Sequence, residues 1–463
     1  MEIKTYSTST VLILALSLAS YSQTASSESH PINNENTPCI SEKEYEIIEQ
    51  RCNENLRSLN LVVEQDKNLR SVTLLDWPLK AAAGLTDCSY YYISAYVDHN
   101  AAGGAFQDFN CGSNTYDSHR GTDISTWPYN FYKMDNNLVE VIAAAPGTIL
   151  DKHDGEFDRN CSSNNLTANY VVIQHADGSQ AMYWHMKNGS ITSKAIGQTV
   201  VAGELLGIVG SSGNASGPHL HFEVRTSSNI VDVIDPFAGT CNLMNASSWW
   251  NTQKTYTETG VIKVSVNTTD IPTPVCPTTE VSNESDTFQI PFQGVGMTAG
   301  YAKFYMFIRN PVSGLVADLK ILNPDASTNL SWTYTTPNTT KTLTWGFSKK
   351  LPLVDGHYTF TATYNGTTCS TPFDITSQGG VIAVEEEFSP TLKIYPNPST
   401  GKFTIENGDG SEIVIYDLLG IKVYQSILSN QKTEVKLNSE SGVYFYLVKN
   451  KDVIISSGKL VLE

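Results

Sequence analysis

The stretch Ser216-Gly217-Pro218-His219-Leu220-His221-Phe222-Glu223-Val224 changes character residue by residue. On an extended strand side chains repeat every two residues, so His219 and His221 project to one face while Leu220 points to the other. Two charged imidazoles side by side would repel. Neutral rings that share a metal, or a water on a metal, make sense of the pair. Taken alone, a His-x-His tripeptide is also what chance places on a polar strand face.

The surroundings have the same texture. From Val72 to Trp250 short alternating segments such as Val139-Glu140-Val141-Ile142 and Tyr170-Val171-Val172-Ile173 are punctuated by Ala176-Asp177-Gly178 and Ser212-Gly213-Asn214. Apolar alternation bounded by turn residues predicts an antiparallel sheet.

Two further segments carry ligand-type residues: Ser118-His119-Arg120-Gly121-Thr122-Asp123 and Met182-Tyr183-Trp184-His185-Met186-Lys187. Catalytic zinc takes three protein ligands and leaves a fourth position for water. His119, Asp123 and one histidine of the His219/His221 pair would supply such a set. Gly121 gives the backbone freedom to aim the first two at one ion.

Taken in order, the three segments resemble the signature of the lysostaphin-like (beta-lytic-type) zinc endopeptidases: His-x-x-x-Asp, then an aromatic-x-His segment, then Gly-Pro-His-Leu-His-Phe-Glu. Ala143-Ala144-Ala145-Pro146-Gly147, Asn169 to Gly178, Gly197-Gln198-Thr199-Val200, Gly203 to Gly207 and Gly210-Ser211-Ser212-Gly213 resemble the segments between them. The resemblance covers residues 115–237. It implies a zinc ion (Zn2+) held by His119, Asp123 and His221, with His185 and His219 as catalytic histidines that do not bind the metal. One would take a proton from water and the other would stabilise the oxyanion or protonate the leaving amine, and the sequence leaves open which does which. Residues 153–168, with Cys161, enlarge a loop relative to the compact family pattern, at a place where loops shape substrate choice. His175 reads as structural, and His30, His99, His153 and His357 as ordinary surface or packed residues.

Beyond this domain the chain stays β-rich. Residues 251–275 read as a Thr/Pro-rich linker and 276–376 as an immunoglobulin-like β-sandwich, signalled by the alternation of His357 to Gly366. A second linker spans 377–391. From Leu392, Lys393-Ile394-Tyr395-Pro396-Asn397-Pro398-Ser399-Thr400-Gly401, Ile413 to Gly420, Gly442 to Leu447 and Lys459-Leu460-Val461 follow in order. They resemble the C-terminal sorting domain of type IX secretion substrates, over 392–463. That resemblance implies the type IX secretion machinery as a partner and passage through the periplasm to the outside or the outer cell surface.

At the other end, Lys4 followed by Val11 to Ala19 reads as a signal peptide over residues 1–22, too short for a membrane anchor. Later stretches fall short of the ~20 apolar residues of a spanning helix, so the mature chain is expected to lack a transmembrane segment. Residues 23–71 read as a leader, flexible to about residue 40, with one short helix. Ser41-Glu42-Lys43-Glu44 is a capping-box pattern, and Tyr45, Ile48, Cys52 and Leu56 recur at helical spacing. The stretch is a pro-segment or a packing arm.

Composition agrees with an exported, multidomain protein. The chain has 463 residues, too many for one core, and 40% are apolar but only 17% charged. A formal net charge of −17 repels phosphate backbones and excludes nucleic acid as a partner. Its eight cysteines are even in number, lack a Cys-x-x-Cys pair, and predict disulfides in an oxidising compartment. Spacing does not fix their pairing; Cys39–Cys52 and Cys276–Cys369 each fall within one expected unit.

The expectation is therefore a mainly β secreted zinc metalloendopeptidase: an antiparallel β-sheet peptidase domain (72–250), an immunoglobulin-like β-sandwich and a small all-β C-terminal sorting domain. Its expected substrate is the peptide of peptidoglycan stems or cross-bridges. The alternatives are a non-catalytic wall-binding or surface adhesion protein with a degenerate peptidase domain, and a protease of extracellular Gly-rich proteins.

Overall fold

The computed structural model describes residues 39–62, 72–100, 102–273, 275–276, 279–377, 392–418, 420–450 and 453–463. The expected signal peptide and residues 378–391 of the second linker lie outside the described residues. The chain divides into two compact units, Met1–Gly380 and Val381–Glu463, and is mainly β as expected.

The first unit holds helix α1 (Glu42–Ser58), a one-turn helix α2 (Asn130–Asp135) and the strands of the peptidase region. These are β1 (Leu79–Ala81), β2 (Tyr91–Ala95), β3 (Thr122–Thr126), β4 (Val139–Ile142), β5 (Gly147–His153), β6 (Tyr170–Gln174), β7 (Gln180–Trp184), β8 (Thr199–Val200), β9 (Leu205–Ile208), β10 (His219–Arg225) and β11 (Val233–Ile234). A large antiparallel sheet runs β2-β3-β10-β7-β6-β5-β8, with β11 pairing β10, and a small sheet runs β1-β4-β9. The β6–β7 turn shows why the register holds. Gly178 takes a φ of 88°, and the Asp177 carboxylate accepts from the Ser179 amide at 3.0 Å.

Residues of one parity on these strands, including Val171, Ile173, Tyr183, Leu220 and Phe222, are buried in a core shared with the small sheet. Residues of the other parity, Tyr170, Val172, Met182 and Trp184, are buried against α1. A sheet covered on both faces explains the near-continuous apolar runs of β6 and β7. Half of the expected capping box forms: Ser41 Oγ accepts from the Glu44 amide at 3.2 Å, while the Glu44 carboxylate accepts from the Ala168 amide, and Tyr45, Ile48, Cys52 and Leu56 form the buried stripe. Burial of each of the larger aliphatic chains in that stripe stabilises by about 1.5–3 kcal/mol. The helix is longer than the short one expected, and Cys39 and Ile40, read as the end of a flexible leader, are buried.

Residues 251–275 are not a linker throughout. Gly260–Asn267 forms strand β12, antiparallel to Tyr301–Arg309, because Val261, Val264 and Val266 bury one face in the next core. That core lies between a three-stranded and a five-stranded sheet, so the sandwich begins at Gly260 and not at 276. Tyr92, Trp127 and Tyr129 of the peptidase region cluster with Ile262, Tyr305 and Phe307 of the sandwich. The second unit forms two sheets, of three and four strands, around Phe403, Ile413, Val435 and Leu460.

The disulfides also correct the expectation. Cys88–Cys369, Cys111–Cys241 and Cys161–Cys276 are bonded, whereas Cys39 and Cys52 are free and buried. A helix rising 1.5 Å per residue carries Cys52 roughly 15 Å from the start of α1, outside the Cα span of a disulfide. Cys39 stays at that start.

Candidate metal centre

Strands β3 and β10 are neighbours with Asp123 opposite His221 in the register. The loop entering β3 delivers His119, so three candidate ligands converge through one strand pair. His221 Nδ1 lies 2.9 Å from Asp123 Oδ1 and 3.2 Å from His119 Nε2. His119 Nε2 is in turn 3.2 Å from Asp123 Oδ1. Ligands at zinc–nitrogen distances of about 2.0–2.1 Å, tetrahedrally placed, stand about 3.4 Å apart. The observed edges fit a small cation with His₂Asp donors.

Each ring is held from behind. His119 Nδ1 sits 2.6 Å from the Tyr96 carbonyl oxygen, and His221 Nε2 sits 3.4 Å from Glu223 Oε2. Backing acceptors of this kind fix the tautomer that aims the other nitrogen inward. Tyr116 stacks on His119 at 4.2 Å between centroids and donates to Asp123 Oδ2 at 3.3 Å. Gly121 is required for space: a Cβ there would lie 2.6 Å from the His221 ring.

Electrostatics follow from this crowding. Burial disfavours the charged form of His119, but the Asp123 carboxylate outweighs it and raises the ring to about 9. Burial likewise opposes ionisation of Glu223, yet Arg225 and His221 hold it at about 2. Asp123 is held well below the usual carboxylate range by His119 and His221 against its burial.

His185 and His219 stand beside this set, with ring centroids 4.5 Å apart. His185 Nδ1 is 2.7 Å from the Ser212 carbonyl oxygen and His219 Nδ1 2.8 Å from that of Gly217. Each Nδ1 therefore donates to a backbone carbonyl, and Nε2 is the ring nitrogen that the backbone does not engage. Strand alternation after Trp184 would send His185 to the core side; a φ of 64° breaks that alternation and brings its ring to the histidine cluster. Burial first, and then His185, push His219 down to about 4, so it is neutral at neutral pH.

All five residues expected from the sequence are thus brought together. Sequence reasoning missed Cys39, whose Sγ lies 3.2 Å from His221 Nδ1 and joins His119, Asp123 and His221 in one buried group of donors. It also missed the supporting roles of Tyr96, Tyr116 and Glu223. Glu223 could have been found, since it shares the parity of His219 and His221 on β10. The remaining histidines are as expected: His99 pairs with Asp235 at 2.9 Å, His175 with the Pro146 carbonyl at 2.9 Å, His153 with Glu156 and His357 with Asp374. His30 lies outside the described residues.

Residues 117–233 match the family model described as Peptidase family M23. The chain carries an M23 peptidase domain. Residues 393–463 match the secretion system C-terminal sorting domain, so the chain is exported by type IX secretion to the cell surface or beyond. Around the M23 domain, 117 residues are 32% identical to the cell division protein DipM of Caulobacter vibrioides, covering 25% of this chain and 19% of that protein. Another match, of 78 residues, is 40% identical to the DD-carboxypeptidase/endopeptidase Mpg of Neisseria meningitidis and covers 17% of each chain. The chain thus spans less than a fifth of the length of these curated relatives. Among solved structures, the catalytic domain of the antimicrobial peptidase lysostaphin from Staphylococcus simulans aligns with 21% identity and a TM-score of 0.20, over 31% of this chain and 85% of that one. Among the described residues, no helix is long and apolar enough to cross a membrane.

Proposed function

We propose that this chain is a secreted zinc metalloendopeptidase that hydrolyses peptide bonds in peptidoglycan stems or cross-bridges. The observation that carries the reading is the convergence of His119 Nε2, Asp123 Oδ1 and His221 Nδ1 on one point flanked by two histidines with tethered Nδ1 atoms. His119, Asp123 and His221 hold the metal. When bound, the ion supplies Lewis acidity, making water a better nucleophile and polarising the scissile carbonyl.

The chain's own residues do the rest. One Nε2 of the His185/His219 pair accepts the proton that water loses as its oxygen attacks the carbonyl carbon. A protonated Nε2 returns a proton to the departing amine, so one water is consumed and one carboxylate and one amine are formed. Tyr116, Tyr96 and Glu223 fix the ligands in place. The substrate class is supported by the DD-carboxypeptidase/endopeptidase name of the Neisseria relative and by an exported enzyme's access to walls outside its own cell.

The test is elemental analysis of the full chain beside His119→Ala, with hydrolysis of purified peptidoglycan measured after limited proteolysis has removed the N-terminal segment. About one zinc per wild-type chain, lost in His119→Ala together with amide cleavage, supports the reading. A wild-type chain that takes up no zinc overturns it.

A further inference from the structure

Catalytic zinc needs an open coordination position, and here a fourth donor, Cys39 Sγ, stands 3.2 Å from His221 Nδ1. Cys39 Sγ, His119, Asp123 and His221 offer donor atoms that all lie within 4.8 Å of one another, and all four residues are buried. Six of the eight cysteines are in disulfides, while Cys39 and Cys52 are not. A reduced thiol kept against two imidazoles and a carboxylate, in a protein that oxidises its other thiols, has the surroundings of a metal ligand. His185 is fully buried beside the same group, and its Nε2 has no hydrogen-bond partner among the described residues.

The helix that follows Cys39 covers the site face of the sheet. Tyr45 Oη donates to Glu223 Oε2 at 2.7 Å, and its ring carries the guanidinium groups of Arg120 and Arg225 at 4.7 and 5.0 Å. Arg120 pairs with Glu42 at 2.9 Å, Arg51 with Asp151 at 2.7 Å, and Asn55 Nδ2 donates to the Leu150 carbonyl at 2.9 Å. Cys39 and α1 thus cover the face of β7 and β10 that carries His221 and Glu223.

We propose that the Cys39 thiolate is the fourth protein ligand of the metal centre, and that α1, pinned through it, holds the enzyme latent. The inference rests on the metal-centre reading above. A site with four protein ligands is coordinatively closed, as structural zinc sites are. On metal binding the Cys39 S–H proton passes to solvent. On activation the sulfur–metal bond breaks, water takes its place, and the thiolate is reprotonated from solvent. A proteolytic cut between Ser58 and Leu75 leaves α1 held only by its non-covalent contacts and this one bond, which makes release the activating event.

X-ray absorption at the zinc edge of the full wild-type chain tests the ligation without any variant. The expected result is one sulfur scatterer at about 2.3 Å beside nitrogen and oxygen. In the cobalt-substituted chain a thiolate-to-metal charge-transfer band should be present, should vanish in Cys39→Ser and should persist in Cys52→Ser. Cys39→Ala should raise peptide hydrolysis of the uncut chain by about tenfold or more. Zinc bound with nitrogen and oxygen neighbours alone overturns the thiolate proposal and leaves the metal-centre reading standing. No bound zinc overturns that reading itself. Sulfur ligation in an uncut chain as active as the cut one overturns latency.

Discussion

The Tyr45 hydroxyl lies 2.7 Å from Oε2 of Glu223, the same oxygen that stands 3.4 Å behind Nε2 of His221. One carboxylate oxygen therefore serves both the covering helix and a candidate ligand. Tyr45→Phe keeps the ring and its stacking on two guanidinium groups but removes a hydrogen bond to a buried charged acceptor. It should lower stability by about 1.5–3 kcal/mol, read from the urea midpoint. It should also speed proteolytic removal of α1.

Gly121→Ala should weaken zinc binding while leaving most of the fold intact. Its Cβ would stand 2.6 Å from the His221 ring and 2.8 Å from the Phe222 carbonyl oxygen, so His221 must tilt from its aim. Competition with a fluorescent chelator should show a loss of about 10–100-fold in affinity, the scale at which mis-supported ligands suffer.

His185→Ala should separate chemistry from metal holding. In chain freed of α1, zinc content should remain that of wild type, while amide hydrolysis should fall by about 10²–10⁴-fold, the usual contribution of a positioned acid or base. Loss of zinc in this variant would move His185 into the ligand set.

Acid should loosen the contact between the peptidase region and the sandwich. Burial opposes ionisation of Asp87, yet Lys133 and Lys263, each 2.7 Å away, outweigh it and hold the carboxyl below its usual value. A depressed folded pKa contributes stability above the unfolded value, and that contribution is lost as pH falls through the folded one. Unfolding free energy should thus decline below about pH 4. Asp87→Asn should show a smaller decline and cost about 3 kcal/mol at neutral pH, because Lys133 loses its carboxylate partner while Lys263 keeps Glu284 at 3.2 Å. Denaturant titrations across pH check both.

The paired strands and the five expected site residues were legible because their information is local. Two-residue alternation sets the faces of β6, β7 and β10, and the motif segments carry the candidate ligands. The strand at Gly260–Asn267 was also written in Val261-Ile262-Lys263-Val264-Ser265-Val266, but the Thr and Pro residues around it outweighed that alternation. Cys39 was not legible. Its role depends on a contact with His221, 182 positions away, and on both free cysteines escaping the pairing that an even count suggests. The disulfides were hidden for the same reason, since Cys88–Cys369 spans 281 positions.

Those disulfides bear on how the peptidase region and the sandwich can engage one and the same partner. Cys88–Cys369 ties the peptidase region to the sandwich, and Cys161–Cys276 ties the loop after β5 to the stretch following β12. A sandwich on a loose tether could hold one strand of a polymer while the active site sampled bonds at many distances, raising local concentration at every reach the tether allows. Here the two parts are stapled twice and share one aromatic seam. Any polymer that touches both must therefore do so at one fixed spacing, which makes this molecule a caliper and not a leash.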